Sequence, residues 1–300
     1  MVGMPTFLIV GAARAGTTAL YDLLQQHPQI SMSTIKEPNF FAFEGEPLDW
    51  RGPGNEFVNN SVSSWNDYVS LFETGHGAIA RGEASPLYLW APHAAKRIKA
   101  RLPDVKLIAV LRNPVEQAFS HYLYARAQMI EPLDDFGAAL AAEPERLAAH
   151  WQPLFQYSDF PRYAQQLTRY YEEFSSDQMM VFLYEDFRDD PKAMLRKICA
   201  FVGVDTAFEP NVTAETNMGG QPRHAWLQQL VMRPNVLATL AALVVPMGAR
   251  RKIRDMVSRR NLARDHMPAD ARARLQGLLR DDIVRLQGLI GRDLSHWLGD

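Results

Sequence analysis

Residues 7–19, Phe7-Leu8-Ile9-Val10-Gly11-Ala12-Ala13-Arg14-Ala15-Gly16-Thr17-Thr18-Ala19, run four apolar residues into a Gly11-x-x-x-x-Gly16-Thr17-Thr18 loop that holds one basic residue, Arg14. A strand that stops at Gly11, turns through small residues and restarts as a helix at Thr17 aims backbone N–H groups and the positive end of a helix dipole at one point. An anionic ester fits there. The ATP- and GTP-binding form of such a loop needs Lys directly before the Ser/Thr, to reach the outer phosphates, and a hydroxyl to hold Mg²⁺. Here Thr17 occupies that Lys position, and the cation has moved back to Arg14. The loop reads as a phosphate cradle poorly suited to a nucleoside triphosphate; the plain alternative is an ordinary strand–turn–helix junction.

Working outward, Ile30–Met32, Ile79–Gly82, Lys106–Leu111 and Met179–Tyr184 read as further strands. Lys106–Leu111 is apolar on both faces, as a strand buried in a parallel sheet must be. Between them lie helical patterns: one with Leu20, Leu23 and Leu24 on a single face, then Pro92–Leu102, Pro114–Ala127, Asp134–His150, Phe160–Phe174 and a helix opened by Asp190-Pro191. The alternation predicts an α/β chain with a P-loop-like three-layer α/β/α fold and a central, mainly parallel sheet of about five strands. Ligands of such sheets bind at the carboxyl ends of the strands, where the Gly11 loop sits.

The 300 residues are read as one domain, 1–300, with a helical carboxyl-terminal part at 224–300. Residues 44–64, rich in Gly, Pro and Asn, form the clearest irregular stretch and read either as a substrate lid or as a surface insertion. A net charge of −2 gives no sign of a nucleic-acid partner, so any anion site must be local. The single cysteine, Cys199, excludes an internal disulfide and a multi-Cys zinc site, and the eight histidines show no metal-binding spacing; no metal is expected. The amino terminus lacks a basic leader region and reads as a structural strand, so a cytoplasmic location is expected. Val236–Met247 is too short for a membrane span of ~20 residues. The basic segment 250–264 is compatible with peripheral membrane contact, although a solvated helix face is the simpler reading. The sequence sets no oligomeric state.

Lys36-Glu37-Pro38-Asn39-Phe40-Phe41 follows the loop. Pro38 disfavours helix at Glu37, so the carboxylate is expected in extended backbone just past Ile30–Met32, near the sheet edge that carries Arg14. A glutamate in water is a carboxylate at neutral pH and can take a proton during attack. Taken alone, the pair would be a surface salt bridge. Next, Leu111-Arg112-Asn113-Pro114 ends a strand in a guanidinium, and a helix from Pro114 carries Ser120 about two turns in. A fork of N–H donors plus a hydroxyl suits a phosphate, whereas the structural alternative for Arg112 is a salt bridge.

These motifs, in this order and over nearly the whole chain, resemble those of sulfotransferases that use 3′-phosphoadenosine 5′-phosphosulfate (PAPS). The Lys36–Phe41 segment is similar to that of the branch including heparan sulfate N- and O-sulfotransferases. The resemblance implies transfer of a sulfuryl group from PAPS to a hydroxyl or amine of a small-molecule or carbohydrate acceptor. Arg14, where the family usually has Lys, would hold the 5′-phosphosulfate with Ala15, Gly16, Thr17, Thr18 and Ala19. Arg112, Ser120 and Arg223 would take the 3′-phosphate. Tyr184 would lie near the adenosine, and the glycine-containing loop with Gln221 would fold over the nucleotide. Glu37 would be the base, Lys36 its helper and Arg14 the stabilising cation, with His121 the next candidate base.

Glycosaminoglycan-modifying relatives carry Glu-Lys-Ser/Thr where this chain has Glu83-Ala84-Ser85, which argues against a heparan-like acceptor. Two other readings remain at this point: a P-loop-type small-molecule kinase, against which Thr17 stands, and a non-catalytic nucleotide-binding module.

Overall fold

The computed structural model describes residues 3–75, 77–211, 221–222, 262–263 and 266–299. Arg223, Val236–Met247 and the basic segment 250–264, apart from its strand residues 262–263, lie outside them.

Five strands, β1 (Phe7–Gly11), β2 (Ile30–Met32), β3 (Ala80–Ala84), β4 (Lys106–Leu111) and β5 (Met179–Leu183), form one sheet in the order β2-β3-β1-β4-β5. Every pairing is parallel. All of β1 is buried, as is β4 beyond Lys106, so both sheet faces need cover and helices supply it. The result is the expected three-layer α/β/α arrangement. With β3 on one side of it and β4 on the other, β1 delivers the loop that follows Gly11 to the middle of the carboxyl edge.

The helix after the loop, α1 (Thr17–Leu24), buries Leu20, Leu23 and Leu24 as expected. Elsewhere the element bounds shift for identifiable reasons. The stretch 134–150 is two helices, Phe136–Ala141 and Glu143–Ala148, because Pro144 can only stand in the first turn of a helix. Helix Tyr163–Glu173 starts after Pro161, and the helix expected from Pro92 spans Ala94–Arg101. Tyr184 leaves β5 to open a short helix, whose Asp186 accepts a hydrogen bond from the Leu183 N–H at 2.8 Å. β3 extends to Ala84, which makes Glu83 a sheet residue.

The helix Ala269–Ile290 packs on Tyr163–Glu173, where buried Asp282 accepts from the N–H groups of Ala164 (2.9 Å) and Gln165 (3.2 Å). Trp297 beyond it is buried, in keeping with a packing role for the carboxyl-terminal segment. The irregular stretch 44–64 is tied down at several points. Arg51 bridges Trp151, Trp50 stacks on His150 at 4.5 Å, and Gln152 Nε2 donates to the Pro53 carbonyl at 2.6 Å.

Candidate active site

Gly16 takes φ 92° at the helix entrance, a conformation that glycine adopts without steric cost, and a Cβ there would lie 3.4 Å from Phe187 and 3.6 Å from Tyr184. Arg14, inside the same loop, is also left-handed at φ 64°. Three bonds hold the loop to the end of β4 and to the helix Pro114–Ala127 that follows it. The Ala12 N–H donates to the Val110 carbonyl (2.7 Å), Gln117 Nε2 to the Ala13 carbonyl (3.0 Å) and Arg112 Nη1 to the Arg14 carbonyl (3.2 Å). Ala15 and Thr17 are buried, and Thr18 and Ala19 are half-buried at the start of α1.

Arg112 stacks over the Tyr184 ring at 5.2 Å, and Tyr184 borders Gly16, so the β4 and β5 ends meet the loop. Ser120 is buried on the Pro114–Ala127 helix. Asn113 caps that helix, accepting from the N–H groups of Val115 (3.0 Å) and Glu116 (3.3 Å). The strand Gln221–Pro222, paired with Leu262–Ala263, runs beside the same helix.

Glu37 departs from expectation: its backbone is left-handed, φ 60°, and not extended, and Asn39 follows at φ 55°. Long-range bonds impose this. The Glu37 N–H donates to the Ala84 carbonyl (3.0 Å), the Asn39 N–H to Ser85 Oγ (3.1 Å) and the Val62 N–H to the Pro38 carbonyl (2.8 Å). Lys36 Nζ donates to Glu37 Oε1 in a half-exposed ion pair. Burial, reinforced by the like charge of Arg112, pushes the Arg14 guanidinium below its ordinary pKa, while the charge of Glu37 opposes the shift. Arg14, Glu37 and Arg112 thus share one electrostatic neighbourhood.

His121 does not qualify as a base. Its ring lies edge-on to Phe160 (4.8 Å) and Tyr157 (5.6 Å), and burial, with the charge of Arg14 added, drives its pKa down to about 3. Two groups were missed from the sequence. Tyr124 carries the Arg14 guanidinium 4.6 Å from its ring centroid, and the charge of Glu37 acts on its hydroxyl. Its place one helical turn after Ser120 was the available signal. Fully buried Glu83 also adjoins the Glu37 turn. Among the described residues, no cluster of His, Cys, Asp and Glu is suited to a metal, and no helix is long and apolar enough to cross a membrane.

An all-parallel sheet, with a glycine-bounded loop carrying Arg14 after its central strand, a guanidinium at the end of β4 and a Lys-Glu pair past β2, suits a group-transfer enzyme acting on an anionic donor. The chain belongs to the sulfotransferase family: residues 5–210 match the profile described as "Sulfotransferase family". It is similar to the crystal structure of a sulfotransferase from Alicyclobacillus acidocaldarius, with 34% identity, 99% of both chains covered and a TM-score of 0.77. It is 30% identical over 122 residues to the membrane-associated sulfotransferase kil1 of Dictyostelium discoideum, covering 41% of this chain and 23% of that protein. To the bifunctional heparan sulfate N-deacetylase/N-sulfotransferase 1 of Xenopus tropicalis it is 26% identical, over 98% of this chain and 31% of that protein. Carbohydrate sulfotransferase 15 of Rattus norvegicus is 25% identical, over 69% and 45%. The chain spans less than half the length of these curated relatives.

Proposed function

We propose that this sulfotransferase moves a sulfuryl group from PAPS to a hydroxyl or amine of a small-molecule or carbohydrate acceptor. The observation that carries the reading is the convergence of Arg14, Arg112 and Glu37 at the carboxyl edge of the sheet, with Arg112 bonded to the Arg14 carbonyl. The residues present fit an anionic nucleotide. Arg14 Nε is buried without a hydrogen-bond partner among the described residues, and the bare Gly16 leaves room for close approach of a ligand beside Tyr184.

PAPS supplies the activated sulfuryl group. Arg14 and the N–H groups of residues 15–19 hold its phosphosulfate and neutralise the charge that develops as the S–O bond to the nucleotide breaks. Arg112, Ser120 and Arg223 hold the 3′-phosphate, and Tyr184 borders the adenosine with Gln221 nearby. Glu37 takes the acceptor proton, and Lys36 balances its charge. Preorganised charge and positioning carry most of the rate, as in phosphoryl transfer. The 44–64 segment, joined to the Glu37 turn through Val62, serves as the acceptor lid. Relatives named for carbohydrates support a sugar acceptor, and Ala84 favours one without dense negative charge.

The test is a mass-spectrometric screen of a metabolite extract supplied with PAPS. The expected result is a product heavier by one sulfuryl group, formed together with adenosine 3′,5′-bisphosphate and persisting in excess EDTA. Phosphate transfer from ATP that requires Mg²⁺ would support the kinase reading instead, and binding without turnover would support the non-catalytic one.

A further inference from the structure

A carboxyl group is costly to bury unless other groups satisfy it. Glu83 is fully buried at the carboxyl end of β3, and among the described residues no cation forms an ion pair with it. It is held by hydroxyls: Ser85 Oγ donates to Oε2 at 2.8 Å, and the Tyr68 hydroxyl lies 3.3 Å from Oε1. Tyr88 faces the same carboxyl, Tyr21 and Tyr170 stand farther off, and Lys36 is the cation whose charge reaches it. An apolar residue would fill this site at lower cost, so the polar group calls for a purpose.

Its connections supply one. The Ser85 hydroxyl has a single proton, and giving it to Glu83 leaves lone pairs for the Asn39 N–H, 3.1 Å away. Between the two, the Ala84 carbonyl accepts from the Glu37 N–H. Three consecutive residues at the end of β3 therefore hold Glu37 and Asn39, both left-handed without being glycine. Such conformations persist only where the surroundings over-determine them. The donor loop is held by a separate set of bonds, from Arg112, Gln117 and Val110.

We propose that Glu83 is a positioning residue for sulfuryl transfer: through Ser85 it fixes the Lys36–Asn39 turn that presents Glu37 to the acceptor. The inference rests on the reading of Glu37 as the base. It separates the turn from the donor site: among the described residues the side chains of Glu83 and Ser85 bond to each other and to the turn, whereas the loop at Arg14 is held by Arg112, Gln117 and Val110.

The test compares Ser85→Ala and Glu83→Met, which removes the oxygens that accept from Ser85, with the parent chain in three measurements. Hydrogen exchange of residues 34–43 should accelerate at least tenfold in both variants. Affinity for adenosine 3′,5′-bisphosphate, by calorimetry, should stay within twofold. Sulfuryl transfer from PAPS to the acceptors of a metabolite extract should fall at least tenfold. Ser85→Ala carries the test alone where Glu83→Met fails to fold. Unchanged exchange in 34–43 would overturn the proposal, as would nucleotide binding and melting temperature falling in step with transfer, since Glu83 would then support the fold generally. Exchange is read without donor or acceptor, so failure of the sulfuryl-transfer reading would show separately, as a parent chain that makes no product.

Discussion

Arg112, at the end of β4, donates its Nη1 hydrogen bond to the backbone carbonyl of Arg14, 3.2 Å away in the loop after β1. One guanidinium thus serves two tasks: it is the proposed 3′-phosphate ligand, and it braces the loop that holds the sulfuryl end. Arg112→Ala should weaken adenosine 3′,5′-bisphosphate by about 1.5–3 kcal/mol, the range for a hydrogen bond to a charged group. Adenosine 5′-phosphosulfate, which lacks the 3′-phosphate, should lose much less, only what the loosened loop costs. Equal losses for the two ligands in calorimetry would remove Arg112 from the 3′ site.

Tyr124 offers a second, independent test of the loop. Its ring lies under the Arg14 guanidinium, a contact of about 0.5–2 kcal/mol. Tyr124→Phe keeps that face and should bind adenosine 3′,5′-bisphosphate within about twofold of the parent, whereas Tyr124→Leu should lose roughly 3–30-fold. In an Arg14→Ala background the difference between Phe and Leu should vanish. A Leu variant that binds as well as Phe would show that the stacking does not hold Arg14.

Burial raises the Glu83 carboxyl from its ordinary 4.5 to about 7. Between those values the folded chain keeps a proton that the unfolded chain has released, so this group stabilises the fold below pH 4.5 and loses that contribution as pH rises through about 7. The full loss is roughly 3 kcal/mol at most. Glu83→Gln cannot ionise, so its melting temperature relative to the parent should rise between pH 4.5 and pH 8. A constant difference across that range, measured by calorimetry, would show that Glu83 does not titrate there.

The sheet was legible because β1 and β4 are apolar on both faces, a pattern that local sequence displays in full. The loop was legible because its glycines and Arg14 are contiguous. Pro144, which divides the 134–150 helical stretch, stands in the sequence as well and marks the first turn of the second helix. The backbone of Glu37 could not be read locally. Pro38 argues only against helix, and the left-handed turn comes from bonds to Ala84 and Ser85, far along the chain. His121 illustrates the same limit. The sequence offers it as the next candidate base, whereas the fold encloses it between Phe160 and Tyr157, where burial lowers its pKa to about 3.

The proposed role of Glu37 as base can be tested separately from nucleotide binding. Glu37→Gln keeps the side chain's shape and removes its capacity to take the acceptor proton, so PAPS affinity should stay within a few-fold while turnover falls by about 10²–10⁴. Arg14→Ala should harm turnover and PAPS affinity together, because that cation is proposed to touch the donor in ground and transition states alike. Arg14→Lys keeps a positive charge over Tyr124 and restores the residue usual in the family, so it should retain substantial activity, short of the parent where two N–H groups bound the sulfuryl oxygens. A Glu37→Gln variant that turns over near the parent rate, or whose whole defect lies in PAPS binding, would make Glu37 a structural partner of Lys36. The half-exposed Lys36–Glu37 pair would then be a surface salt bridge, and the acceptor proton would leave through solvent.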